Sequence, residues 1–256
     1  MTSQPADHTN RFTRRVPYYH RSRPRYPQAL IALLADELGL RSSHIIADVG
    51  AGTGISSELF LANGHQVYAV EPNAAMLDEA RRHYGHMPGF HPVHAPAEAT
   101  SLPEASVDFV VAGQAFHWFN KPAARQEFDR ILRPGGRCVL FWNMRPHAEN
   151  ALQDAYNALM AAFDVEGLGE FRQTAGSRDE EELLAFFGGH FEERSLPNQQ
   201  VLDYEGFVAR VLSASYMPLP GEPRYDALMA QVNALFAQHN VNGSVTLSYR
   251  TDVYWA

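Results

Sequence analysis

The stretch Asp48-Val49-Gly50-Ala51-Gly52-Thr53-Gly54 decides the fold. It stands directly after the apolar run Ile45-Ile46-Ala47-Asp48-Val49 and directly before residues 55–63, where Leu59 and Phe60 recur at helical spacing. A short apolar run bounded by glycine is a buried strand, so the local unit is strand, glycine turn, helix. Glycines in such a turn let the backbone reverse tightly and let a ligand approach with no Cβ in the way.

The same alternation continues outward. Leu30, Ile31, Leu33, Leu34 and Leu38 predict a helix over 27–39 that stops at Gly39. Strands are expected at 66–70, 90–94 and 107–112, with helices at 73–84 and 122–132. Arg133-Pro134-Gly135-Gly136 forms a turn before a fifth strand. Strands and helices alternating at this spacing indicate a parallel sheet of βαβ units. From about residue 146 the rhythm changes. Helices are expected near 150–163, 179–188, 205–214 and 224–238, interrupted by strand-like stretches at 191–203 and 245–255. The organisation this implies is an arm over 1–27, an α/β core over 28–145, and 146–256 as helical cap insertions plus strands that complete the same sheet.

The 256 residues carry a formal charge of −8, which argues against non-specific nucleic-acid binding. Arg11, Arg14, Arg15, Arg21, Arg23 and Arg25 crowd the N-terminal segment; a solvated arm fits them better than a basic patch for an anionic partner. The single cysteine, Cys138, excludes an intramolecular disulfide and lies in the apolar strand Arg137-Cys138-Val139-Leu140-Phe141-Trp142, where a thiol acts as a small apolar residue. No signal-peptide pattern and no membrane-spanning run is present, so a cytoplasmic location is expected. His83 with His86, and His91 with His94, lack further ligands, so no metal site is expected. Composition leaves monomer and homodimer open.

The glycine turn does not fit two common nucleotide motifs. A dinucleotide fingerprint counted from Gly50 needs a third glycine where Ile55 stands, and no Gly-Lys-Ser/Thr follows for a P-loop. What stands is D-x-G-x-G-x-G, with Glu71 closing the second strand 17 residues beyond Gly54. A carboxylate there can accept both ribose hydroxyls of an adenosine.

These residues resemble the class I S-adenosylmethionine (SAM)-dependent methyltransferases, and among them the small-molecule group that includes trans-aconitate methyltransferase. The resemblance covers roughly residues 19–145. It implies a Rossmann-like sheet, mostly parallel with its last strand antiparallel, with helices on both faces and a C-terminal helical cap. Carried over by position, Asp48, Gly50, Ala51, Gly52 and Gly54 would hold the methionine portion and Glu71 the ribose, with Pro72 and Met76 lining the adenine. Met76 taken alone reads better as a packing residue. Ala95-Pro96-Ala97-Glu98 resembles the turn that contacts adenine, which brings in Ala97 and Glu98. The run 102–110 resembles the approach to strand four, and Leu132-Arg133-Pro134-Gly135-Gly136 the turn before strand five. Tyr19-x-x-x-Arg23-Pro24-x-Tyr26-Pro27 resembles an N-terminal signature in which the tyrosine and arginine fold over the cofactor. Arginine can fork onto the methionyl carboxylate.

Gln114-Ala115-Phe116-His117-Trp118-Phe119 follows strand four, at the sheet edge where α/β ligands bind, and the family carries similar Gln-Ala-x-His-Trp runs. Gln114 is expected at the cofactor and Trp118 at the acceptor. His117 is a candidate general base and equally a structural histidine. Asn143 and Arg145 lie just past strand five, and Arg210, Ser215 and Tyr216 in the cap, as candidate acceptor contacts. The implied activity is in-line methyl transfer from SAM to a small-molecule acceptor, a carboxylate or another oxygen nucleophile, leaving S-adenosylhomocysteine (SAH). A SAM-binding module without turnover and an NAD-dependent oxidoreductase are the competing readings; Ile55 disfavours the second.

Overall fold

The computed structural model describes residues 20, 22–146, 149–164, 179–214 and 216–256. Tyr19, Arg21, Ser215 and the arginines at 11, 14 and 15 lie outside them. The first helix, α1 (Ala29–Leu38), buries Leu30 and Leu34 and ends where Gly39 turns left-handed at φ 67°. The glycine N–H meets Ala35 O and the Leu40 N–H meets Leu34 O, so two carbonyls at the helix end are satisfied. Then follow β1 (Ile45–Val49), α2 (Ile55–Ala62), β2 (Gln66–Val70), α3 (Ala74–Tyr84), β3 (Phe90–Val93) and β4 (Val107–Gly113). A single 3₁₀ turn (Phe116–Trp118) leads to α4 (Lys121–Ile131) and β5 (Leu132–Met144). The remainder is α5 (Ala151–Ala162), α6 (Glu180–Phe187), β6 (Glu192–Asp203), α7 (Tyr204–Leu212), α8 (Tyr225–His239) and β7 (Ser244–Trp255).

Seven strands form one sheet in the order β3-β2-β1-β4-β5-β7-β6. The first five are parallel, and β7 runs antiparallel to both β5 and β6. Crossing from β3 to β4 reverses the direction in which strands are added, which opens a crevice beyond the C-terminal ends of β1 and β4. Apart from Asp48 and Asp108, β1 and β4 are apolar throughout because both faces of the sheet are covered. Phe109 and Val111 of β4, with Val139 and Phe141 of β5, face α1, α2 and α3. Val110, Ala112, Leu140 and Trp142 face α4 and α6. Each such fully buried large side chain contributes roughly 1.5–3 kcal/mol.

Helix α6, expected among the cap elements, packs Leu183 and Phe186 onto this second sheet face beside Phe116 and Phe128. Helices α5, α7 and α8 instead share a separate core built around Tyr156, Phe207, Val211, Met217 and Val232, to which β7 adds Val245 and Leu247. The turn at 133–136 falls inside β5: Leu132 pairs with Val107, but the next pairing is Arg137 with Phe109. Four residues loop out between them, with Gly135 at φ 82°. No helix among the described residues is long and apolar enough to cross a membrane.

Gly54 opens α2 at φ 84°, and a Cβ there would lie 2.7 Å from the Tyr84 ring that joins α2 to α3. Gly54→Ala is expected to lower unfolding free energy by at least about 1–2 kcal/mol, read from urea denaturation.

Candidate functional site

A cavity of about 220 Å³ opens at the crevice beyond β1 and β4. Its floor is the glycine turn. Gly50 N–H and Ala51 N–H both donate to Val70 O, which hangs the start of the turn on the end of β2. Gly50 adopts φ 72°, and a Cβ on it would stand 2.5 Å from Ala115 Cβ, so the close approach of the two loops requires glycine.

Glu71 closes β2 with its side chain 7% exposed. One carboxylate oxygen accepts from Gly52 N–H at 2.9 Å and the other from Asn73 N–H at 2.8 Å. Asn73 in turn caps α3, its Oδ1 accepting from the N–H groups of Ala75 and Met76. The acid therefore joins the glycine turn to the start of α3. Burial pushes the Glu71 carboxyl up, and the two amide donors partly offset this. Asp48 lies under the turn, fully buried, and accepts from Ser56 Oγ at 2.7 Å and Ser57 Oγ at 2.5 Å through one oxygen. Its other oxygen has no hydrogen-bond partner. Burial raises Asp48 to about 6, against hydroxyl donors that lower it.

Most of the expected cofactor contacts come together here. Arg23, Gly50, Ala51, Gly52, Glu71, Pro72, Met76, Ala97, Glu98 and Gln114 line the cavity, as do the expected acceptor contacts Trp118 and Asn143. Among the described residues the wall does not include Asp48, Gly54, His117, Arg145 or Tyr216, and Tyr19 lies outside those residues. Asp48 acts one layer down through Ser56, which does line the cavity. A 3₁₀ turn separates successive side chains by about 120°. Phe116 accordingly points into the core, Trp118 into the cavity, and His117 sits half-buried with its ring 4.8 Å from that of Trp118. Tyr216 is buried in the core of α5, α7 and α8. The Arg145 guanidinium lies 5.3 Å from the Tyr156 ring centroid.

Asn143 does more than line the wall. Its amide donates to Pro24 O and Arg25 O at 3.3 Å, and its Oδ1 accepts from Thr251 Oγ at 2.6 Å and Asn198 Nδ2 at 3.0 Å. All four of its hydrogen-bonding positions are taken. It anchors the N-terminal segment to the end of β5 and to β6 and β7. Further along that segment, Arg23 donates to Ser213 O at 2.9 Å and Gln200 donates to Ser22 O at 2.8 Å.

His20 ties an earlier part of the segment to the glycine turn. Its Nδ1 lies 3.2 Å from Thr53 O, which can only accept, so Nδ1 carries the proton and Nε2 accepts from Arg25. Burial, then Arg25, lowers His20 to about 4, and its ring stacks on His83 at 3.6 Å. Sequence reading did not find His20, Tyr26 or Ser56. Tyr26, within the N-terminal signature, carried the only usable signal. Gln114 holds φ 58°, a conformation rare outside glycine, and donates through Nε2 to Asn143 O.

Comparison with known proteins agrees with this geometry. Residues 47–140 match the family model described as a methyltransferase domain. Fold and match point to the same class: the sheet has the Rossmann-like topology of class I methyltransferases, and these residues resemble a methyltransferase domain. An uncharacterised methyltransferase of Mycobacterium tuberculosis is 37% identical over 145 residues, 57% of each chain. Malonyl-[acyl-carrier protein] O-methyltransferase of Enterobacter lignolyticus is 33% identical over 149 residues, 58% of this chain and 57% of that one. The chain spans about half the length of the curated relatives it matches. Among solved structures, one assigned as a type II methyltransferase from Anaeromyxobacter dehalogenans superimposes with TM-score 0.61 at 26% identity, covering 91% of this chain and 95% of that one.

The raised Asp48 carboxyl bears on stability in a defined direction. A folded-state value near 6 against an ordinary 3.8 means the folded protein holds this proton longer than the unfolded chain. The associated stability is present below about pH 3.8 and lost as pH rises through about 6. Comparing wild type with Asp48→Asn by urea denaturation at pH 4 and pH 7, the difference should move in the variant's favour by roughly 2–3 kcal/mol at the higher pH.

Proposed function

We propose that this chain binds SAM in the cavity over the glycine turn and transfers its methyl group to a small-molecule acceptor by in-line displacement. The observation that carries the reading is Glu71: a buried carboxylate held by two backbone N–H groups, on the cavity wall, facing a turn with no side chains on Gly50 and Gly52. A carboxylate so fixed is suited to accept both hydroxyls of a ribose. A nearby buried Asp48 with one unpartnered oxygen also favours a ligand that brings positive charge. SAM supplies an electrophilic methyl on its sulfonium, so the protein's part is to bind, align and exclude water.

Pro72, Met76, Ala97 and Glu98 form the adenine side of this reading, and Gln114, Trp118 and Phe119 face the reacting end. We assign residues 1–27 as an arm over the cofactor, 28–145 as the binding core, and 146–256 as cap helices with the strands that complete the sheet. The arm's described part supports that division, because Arg23, Pro24 and Tyr26 line the cavity. His117, next to Trp118, is the base we assign to an acceptor that must lose a proton; one already ionised needs none. The malonyl-[acyl-carrier protein] O-methyltransferase likeness supports an oxygen nucleophile.

Calorimetric titration with SAH tests the cofactor reading. Wild type should bind, and Glu71→Gln, which keeps shape but loses charge, should bind roughly 10- to 100-fold more weakly. A folded wild type that does not bind SAH overturns the proposal. The role of Arg23 as partner of the methionyl carboxylate is tested separately. Arg23→Ala should weaken SAH roughly tenfold while leaving methylthioadenosine, which lacks that carboxylate, unaffected. Equal losses for both ligands would instead make Arg23 a purely structural tie.

A further inference from the structure

Arg210 of α7 is 5% exposed and has no carboxylate partner among the described residues. Its Nε donates to Tyr249 OH at 2.9 Å and its Nη1 to Ser213 Oγ at 3.4 Å, which uses two of five guanidinium N–H groups. The groups acting on it are the phenols of Tyr156, Tyr249 and Tyr216. The Tyr156 hydroxyl is fully buried and has no hydrogen-bond partner. A second guanidinium, that of half-buried Arg145, lies over the Tyr156 ring and also acts on Tyr249. Two arginines and a buried, unpartnered hydroxyl thus converge with no acid between them among the described residues. Phenols are weak compensation for a guanidinium taken out of water, and such a charge is ordinarily paired.

The position of the cluster says what its counter-ion is. In the β5–β7 ladder Asn143 pairs with Thr251 and Met144 with Arg250, so the alternation of side chains puts Asn143 of β5 on one face with Thr251 and Tyr249 of β7, while Arg145, one residue past the end of β5, acts on Tyr249. Asn143 lines the cofactor cavity, and Tyr249 is the next residue of β7 on that face beyond its partner Thr251. Ser213 makes the second link, because its carbonyl accepts from Arg23 of the cavity wall while its hydroxyl meets Arg210.

We propose that Arg210, Arg145 and the Tyr156 hydroxyl form a binding site for a carboxylate group of the methyl acceptor, placed beside the cofactor cavity. This rests on the methyl-transfer reading above and deepens it. The carboxylate is the handle that holds the acceptor: the forked guanidinium edge left open on Arg210 matches its two oxygens, and Tyr156 OH donates to one of them. The atom to be methylated then lies on the cavity side of the handle.

The test titrates SAH-saturated protein calorimetrically with acetate, succinate, tricarballylate and benzoate, with 1,4-butanediol as a neutral control and inorganic phosphate as the other oxyanion. At least one carboxylate should bind while butanediol does not. Tyr156→Phe should weaken that binding at least threefold and Arg210→Met at least tenfold, both with SAH affinity retained. The proposal is overturned if no carboxylate binds the SAH complex, if phosphate alone binds, or if Arg210→Met binds SAH and the carboxylate as wild type does. Should Arg210→Met not fold, Tyr156→Phe and Arg145→Met decide, and unchanged carboxylate affinity in both counts against the site. Failure of wild type to bind SAH would instead strike the cofactor reading; the same carboxylate titration on the SAH-free protein then decides this one by the same criteria.

Discussion

The carboxylate of Glu71 holds the candidate site together. It is taken out of water at the end of β2, where burial disfavours its charged form, and it is kept there by two backbone N–H groups from opposite sides. One belongs to the glycine turn after β1 and the other to the cap residue of α3. Charge-assisted bonds of this kind contribute about 1.5–3 kcal/mol each, enough to fix a turn whose glycines would otherwise be the most mobile residues in the crevice. Once the turn is fixed, Ala115 can close to within contact of Gly50, and the loop after β4 acquires its position. The strained backbone of Gln114 is tolerated because its N–H still meets Phe141 O and its side chain meets Asn143 O.

A second set of contacts closes the crevice from far along the chain. Residues 22–25 are carried over the cavity by hydrogen bonds to Asn143, Asn198, Gln200 and Ser213, which come from β5, β6 and the end of α7. None of these bonds is strong alone, at about 0.5–1.5 kcal/mol net for neutral partners. They are cooperative in geometry, since Asn143 can take two carbonyls of the arm only while Thr251 and Asn198 hold its oxygen. The antiparallel β7 is therefore what couples the arm to the sheet: it supplies Thr251 and pairs β6 in register with β5.

What could be read from the sequence follows the range of the interactions. The strand at 66–70 and the helices near 150–163, 179–188 and 224–238 fall where hydrophobic period and caps put them, because those signals are local. The glycine turn and Glu71 were legible for the same reason, as a spacing within one βαβ unit. The looped-out residues 133–136 were visible as a turn, but not their place inside a strand, which depends on pairing with β4. Nor could spacing separate the three faces of Phe116, His117 and Trp118, since a 3₁₀ turn and a helical turn look alike over three residues. Asn143 was singled out as an acceptor contact, while its saturation by partners 55 to 119 residues away could not be read from any window. Tyr156 and His20 carried no motif at all.

The two ends of the site are unbalanced in opposite senses, and this bears on how they work together. On one side Asp48 and Glu71 are buried carboxyls, each pushed up by desolvation and Glu71 further by Asp48. On the other, Arg210 and Arg145 have no acid beside them among the described residues, although the chain as a whole carries eight more acidic than basic residues. With an excess of acids available, the lack of one at Arg210 is not a matter of supply. A cationic ligand at the carboxylate end and an anionic one at the arginine end would each relieve a burial penalty that the folded chain alone leaves standing. Arg23 touches both sides, lining the cavity and bonding Ser213, so the cavity wall is tied directly to the cluster around Arg210.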